Sequence, residues 1–335
     1  MKRWLAREVL LGSAALIASL GMGCKPDQSV KPGAPVLMEM IIASASGATH
    51  ITSTTPDCTT GLADGAACTP PGDTLCRHAT MNNWCNCVAD AMDMTMGTWS
   101  CAPIGPVASV VAVFDRLIDV SMFDPEAADG NTAPNTASIE VPAGAPTAMA
   151  VVNYGANGST TGLIAHLFGH PMGPNLTISG APALPSGTAV TVALNKTTVR
   201  AKDGKTSFVG EGLLQDGTIT FTTGPFAVAV TVPAGMDADG GVAPAAPDMT
   251  PVGLDFSNVV DSEAILPHIT VTAGGTAVPF TLDPAEGAGT HVSIVPTANW
   301  PANATITVTL AAATPDVLNE TLGAAVTETF MTGAP

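Results

Sequence analysis

The sequence predicts an all-β protein: two β-sandwiches in tandem, with a small disulfide-rich insertion in the first. Three observations predict it. Short segments that alternate apolar with polar or small residues recur along the chain, separated by Gly, Pro, Asn and Asp. Four of these segments occur in the same order in both halves. Six cysteines crowd between Cys58 and Cys101.

The second half alternates most clearly. Strands are expected at Ala227–Val232, Thr250–Phe256, Ile269–Thr272, Val278–Leu282, His291–Val295, Thr305–Leu310 and Val326–Phe330. Val, Ile, Thr and Phe fill them, residues that suit a pleated, half-buried surface. Seven short strands in about 110 residues is the pattern of an immunoglobulin-like sandwich.

The first half repeats the order. VAVFDRLIDV at 111–120 answers VGLDFSNVVD at 252–261, and IEVPAGAPTAMAVV at 139–152 answers ITVTAGGTAVPFTL at 269–282. LPSGTAVTVAL at 184–194 answers WPANATITVTL at 300–310, and TITFTTG at 218–224 answers TETFMTG at 327–333. Blocks that recur in one order mark a tandem repeat. The first copy is longer, with extra residues near 155–173.

These blocks resemble the SbsA-type bacterial Ig-like domain, a module of surface-layer proteins. Phe256, Ser257, Val260 and Asp261 carry its first segment. Leu184, Pro185, Gly187, Thr188 and Val190 carry its Leu-Pro-x-Gly-Thr strand. Phe221 with Thr223, and Phe330 with Thr332, carry its closing Phe-x-Thr strand. The first copy departs from the pattern at Asp115 and Ala189. The resemblance covers roughly residues 102–335 and implies a non-catalytic module that spaces, displays or adheres. Sandwiches of this kind are expected to have filled cores and no evident cleft.

The N-terminus addresses the chain to the cell envelope. Lys2, Arg3 and Arg7 precede an apolar run from about Val9 to Met22, and small residues lead to Cys24. That is the layout of an export signal, too short for a membrane span. The cysteine at the cleavage point resembles a bacterial lipoprotein signal, although Leu20 stands one place further back than usual. The resemblance implies cleavage after residue 23 and acylation of Cys24, so that the lipid is the anchor. Lys25, rather than Asp, follows the cysteine. By the enteric sorting rule this implies the outer membrane. Residues 24–35 are polar and proline-rich, as in an extended tether.

Without residues 1–23 the chain keeps 8 of its 11 basic residues and 27 of its 28 acidic ones, a formal net charge of −19. No Lys or Arg follows Lys205. Such a surface repels phosphate backbones and argues against nucleic acid as a partner. One Tyr and four Trp leave little material for aromatic sugar-binding platforms.

The opening strand of the first copy is expected at residues 37–43, yet its partner arrives only near Val107. The cysteine-rich insertion, residues 57–102, lies between them. With Cys24 assigned to lipid, the six that remain are Cys58, Cys68, Cys76, Cys85, Cys87 and Cys101. An even number in an exported chain reads as a disulfide framework. The block has few large apolar residues, so crosslinks are expected to order it. Cys85 and Cys87 are too close to bond each other without strain, which leaves 12 of the 15 possible pairings.

A zinc site from Cys76, His78, Cys85 and Cys87 is disfavoured, because its spacings are tighter than the usual Cys-x2-4-Cys. His166 and His170 stand four apart, but Gly169 and Pro171 argue against a shared helical face. Acidic turns at 127–131, 203–204 and 236–241, with Asp248, read as solvated turns rather than calcium sites. No G-x-S-x-G, phosphate-binding loop or G-x-G-x-x-G occurs.

The expected organisation is a signal peptide at 1–23 and a tether at 24–35. A sandwich at 36–224 with its insertion and a second at 225–335 follow. The expected function is non-catalytic and without a cofactor: a surface-displayed spacer or adhesion module. Its expected partners are the bilayer, through acylated Cys24, and a surface protein or glycan. The alternative is a carbohydrate- or calcium-binding receptor with its site in the cysteine-rich block.

Overall fold

The computed structural model describes residues 33–44, 47–58, 62–69, 75–78, 83–90, 92–93, 95–101, 103–119, 121, 135–155, 174–233 and 248–334. The signal segment, Cys24, the acidic turns at 127–131 and 236–241, and His166 and His170 lie outside them. Among the described residues the regular structure is almost entirely strand. No helix there is long and apolar enough to cross a membrane.

The first sandwich is built from β1 (Leu37–Ser44), β2 (Gly47–Thr52), β7 (Ser109–Phe114), β8 (Ala137–Glu140), β9 (Met149–Gly155), β10 (Asn175–Ala181), β11 (Ala189–Leu194) and β12 (Thr218–Thr222). One sheet runs β2-β1-β7-β10-β9 and the other β12-β11-β8. With β2 set aside as an added edge, these are strands A-B-E-D and G-F-C of a constant-type immunoglobulin sandwich. In β11 the sequence AVTVAL alternates strictly, and Val190, Val192 and Leu194 are buried. The central strand β7 is apolar throughout. Val110, Ala112 and Phe114 enter the main core, while Val111 and Val113 pack with Ile41 in a separate cluster.

The second sandwich comprises β13 (Val228–Thr231), β14 (Val252–Asp261), β15 (Ile269–Ala273), β16 (Thr276–Ala277), β17 (Phe280–Asp283), β18 (Ala288–Pro296), β19 (Thr305–Leu310) and β20 (Val326–Met331). Its sheets run β13-β14-β18-β17 and β16-β15-β19-β20. This is again A-B-E-D facing C-F-G, with β16 as a short extension beside strand C. Trp300 and Phe330 meet edge to face in its core, 5.3 Å between ring centres.

The four sequence blocks shared by the halves therefore fall on the same topological strands: B, C with D, F, and G. A hydrogen-bonding device recurs with them. Thr223 Oγ1 donates to the Pro185 carbonyl at 2.6 Å and accepts from the Thr188 amide at 3.1 Å. Thr332 Oγ1 donates to the Pro301 carbonyl at 2.5 Å and accepts from the Ala304 amide at 3.0 Å. Each threonine is buried and ties the end of strand G to the entry of strand F.

The sandwiches share a polar junction. Asn258 on β14 donates its side-chain amide to the Leu184 carbonyl of the first sandwich at 3.2 Å. The Ser186 amide of the first sandwich donates to Glu320 Oε2 of the second at 2.6 Å. The main core of the first ends at Phe221, and that of the second begins at Phe226.

Candidate functional site

Between β2 and β7, and so between strands A and B, the chain makes a separate small sheet. It consists of β3 (Ala67–Cys68), β4 (Leu75–His78), β5 (Asn83–Ala89) and β6 (Gly97–Ser100), in the order β3-β6-β5-β4. Three disulfides hold it: Cys58 to Cys76, Cys68 to Cys87, and Cys85 to Cys101. They close spans of 18, 19 and 16 residues. At that length each removes about 3 kcal/mol of freedom from the unfolded chain.

Cys76 and Cys85 sit directly opposite each other on β4 and β5, yet each bonds elsewhere. The Sγ atoms of Cys58, Cys76 and Cys85 lie within 4.8 Å of one another. All three are consumed in disulfides, and the thiolate is the form that ligates metal. His78 is not part of this group; its Nε2 lies 3.2 Å from the Leu62 carbonyl.

The block is less self-contained than its composition suggests. Cys68, Cys76, Cys85, Trp99 and Cys101 form a core of their own. Leu75 and Trp84 instead join the main core of the first sandwich. Trp84 is buried, and its Nε1–H donates to the Thr220 carbonyl of β12 at 3.1 Å. Asn83 is also buried and donates to the Cys101 carbonyl at 2.6 Å. Its Oδ1 has no partner among the described residues.

The seam between block and sandwich encloses a pocket of about 240 Å3. It lies outside the sandwich cores, for which no cleft is expected. The sandwich core is filled, but the insertion adds a second surface against β12, and the two do not close completely. Ile51 of β2, Leu213 and Leu214, and Ile219 and Thr220 of β12 line one side. Arg77 and Trp84 line the other. The wall at Leu213 depends on Gly212. Its φ is +53°, and a Cβ there would sit 2.1 Å from the Ser53 carbonyl oxygen. Only glycine meets both demands.

Arg77 is the one cation of the block. Its Nε lies 3.1 Å from Asp57 Oδ1, but out of line for a hydrogen bond. Asp57 is exposed and Arg77 half-buried, and pairs so open to solvent contribute about 0–1 kcal/mol. Arg77 lines the pocket together with the buried residues Ile51, Trp84, Leu214 and Ile219.

The acidic turns that are described serve their own backbone. Asp203 Oδ1 accepts from the Lys205 and Thr206 amides, and Asp248 Oδ1 accepts from the Thr250 amide. These hydrogen bonds hold both carboxyls below their ordinary value. The sequence reading singled out the cysteines and missed Arg77, Trp84 and Gly212. No feature of the linear sequence sets Arg77 beside β12.

No protein-family model matches the chain, and the search of curated proteins returns no match.

Proposed function

We propose that the protein is a non-catalytic, surface-displayed lipoprotein whose disulfide-bonded block is its recognition element. Acylated Cys24 is the anchor, and the tether at residues 24–35 joins it to the first sandwich, which carries that block. The observation that carries this reading is the placement of the block. It occupies one interstrand connection of a complete sandwich, braced by Trp84 against β12, and leaves a pocket at the seam. The sequence resemblance to surface-layer Ig-like modules and the export signal support the same reading. A macromolecular partner, protein or glycan, is the leading occupant.

The pocket favours a second reading in particular: a receptor for an acidic carbohydrate. Arg77 borders the pocket and carries the charge that a sugar carboxylate would pair with.

An array of neutral and acidic glycans, probed with the mature chain and with Arg77→Gln, tests both. Charge-assisted hydrogen bonds contribute about 1.5–3 kcal/mol. Acidic-glycan binding that falls at least tenfold in Arg77→Gln supports the receptor. Binding to a surface protein that survives Arg77→Gln supports the spacer and adhesion reading. Loss of neither anchor nor binding when Cys24 and the whole block are altered would sink both.

A further inference from the structure

The loop joining β5 to β6 carries the sequence Asp90-Ala-Met-Asp-Met-Thr-Met96. Three methionines alternate with Asp and Thr, and no other large apolar residue is present. Met92 is 99% exposed and Met96 61% exposed. Met94 stands between them in the sequence and lies outside the described residues. Apolar side chains at such exposure gain nothing from packing, so burial does not explain them.

The backbone of this loop is well tied. The Asp90 amide donates to the Met96 carbonyl at 2.8 Å, and the Met96 amide donates to the Asp93 carbonyl at 3.0 Å. Asp90 Oδ1 accepts from the Met92 amide at 2.7 Å. Asp93 Oδ1 accepts from the Thr95 amide and hydroxyl at 3.0 and 2.6 Å. One oxygen of each carboxylate is thus occupied inside the loop, and the side chains of Met92 and Met96 are exposed. The turn from Asp93 to Met96 holds their Cα atoms within about 7 Å, and Met92 is one residue, about 3.8 Å, further on. Two flexible methionine side chains span that separation and can meet at one ion.

We propose that Met92 and Met96 form a thioether site for a soft monovalent cation, Cu(I), at the tip of the disulfide-bonded block. Thioether sulfur selects Cu(I) over the hard cations that carboxylates prefer. An apolar docking tip is the competing reading, but leucine would serve it equally well, and this loop uses methionine alone. The six block cysteines cannot supply the site, because all are in disulfides.

Ag(I), a redox-inert stand-in, tests the proposal on the full mature chain with Cys24→Ser in every arm, which removes the remaining thiol. Methyl resonances of 13C-labelled methionine report each thioether. Met38 and Met149, 53% and 74% exposed and far apart in sequence from other methionines of the loop, serve as internal controls. The Met92 and Met96 signals are expected to shift at concentrations at least tenfold below those that move Met38 and Met149. Met92→Leu or Met96→Leu is expected to weaken binding at the remaining partner at least tenfold. Simultaneous response of all exposed methionines, or no response of Met92 and Met96, overturns the proposal. So does unchanged Ag(I) binding by the double leucine variant.

Discussion

The side-chain amide of Asn258 donates to Asp316 Oδ2 at 2.7 Å, with both residues buried. Asp316 Oδ1 meanwhile accepts from the Leu318 and Glu320 amides at 2.8 and 2.9 Å. The carboxylate thus shapes the loop before strand G and holds Asn258 in place. Asn258 in turn reaches the Leu184 carbonyl of the first sandwich. One buried pair links the second core to the junction.

Asn258→Ala strands a buried carboxylate oxygen and a buried carbonyl. A loss of about 2–3 kcal/mol in unfolding free energy follows from leaving such groups unsatisfied. Chemical denaturation of residues 24–335 measures it. Stability within about 0.5 kcal/mol of the parent would mean that water replaces the amide at no cost.

Glu320 completes the junction and gives it a pH dependence. Burial, helped by the neighbouring Asp316 charge, holds its carboxyl above the ordinary value of 4.5, even though the Ser186 amide opposes the shift. The folded state therefore binds this proton more tightly than the unfolded chain. Its contribution to stability is present below about pH 4.5 and is lost as pH rises through the folded-state pKa. Glu320→Gln keeps an acceptor for Ser186 and removes the charge. It is expected to raise Tm near pH 7 and leave it unchanged near pH 3.5, read by thermal melts at both values. A lower Tm near pH 7 would show that the amide needs the charge more than burial opposes it.

The two buried threonines make a matched pair of tests. Thr223→Val and Thr332→Val keep shape and remove the hydroxyl from Pro185 and Thr188, or from Pro301 and Ala304. Each is expected to cost about 1–3 kcal/mol, from a lost hydrogen bond and buried groups left unpaired. The sites share no contacts in the fold described, so the double variant should show the sum of the two. Unequal costs that differ by more than about 2 kcal/mol would deny that the device is equivalent in the two copies.

Reduction of the disulfides separates the three tryptophans of residues 24–335. Trp99 packs among the cystines, Trp84 in the first sandwich and Trp300 in the second. Loss of crosslinks worth about 3 kcal/mol each should release Trp99 first. In 19F spectra of fluorotryptophan-labelled protein, the Trp99 resonance moves to a solvent-like shift while Trp300 stays. A Trp300 signal that moves together with Trp99 would contradict the independence of the cores.

Much of the architecture was legible because period-two alternation states which face of a strand is buried. Val190, Val192 and Leu194, or Ile306, Val308 and Leu310, show it directly. The repeat was legible because the same side chains, down to Thr223 and Thr332, solve the same packing problem twice. Strand β7 was less so: apolar at nearly every position, it carries no alternation to read, because both of its faces are buried.

The sequence by itself determined the all-β class, the order of strands in each copy, and the six cysteines of the insertion. These follow from local pattern and side-chain chemistry, which need no knowledge of distant neighbours. Only the tertiary structure decided which cysteines pair, that Trp84 belongs to the sandwich core, and that Arg77 borders a pocket against β12. Each depends on contacts between residues far apart in the chain: Trp84 and Thr220 are separated by 136 positions. No local propensity encodes such a meeting. It arises when the inserted sheet finds the one edge of the sandwich that buries Leu75 and Trp84.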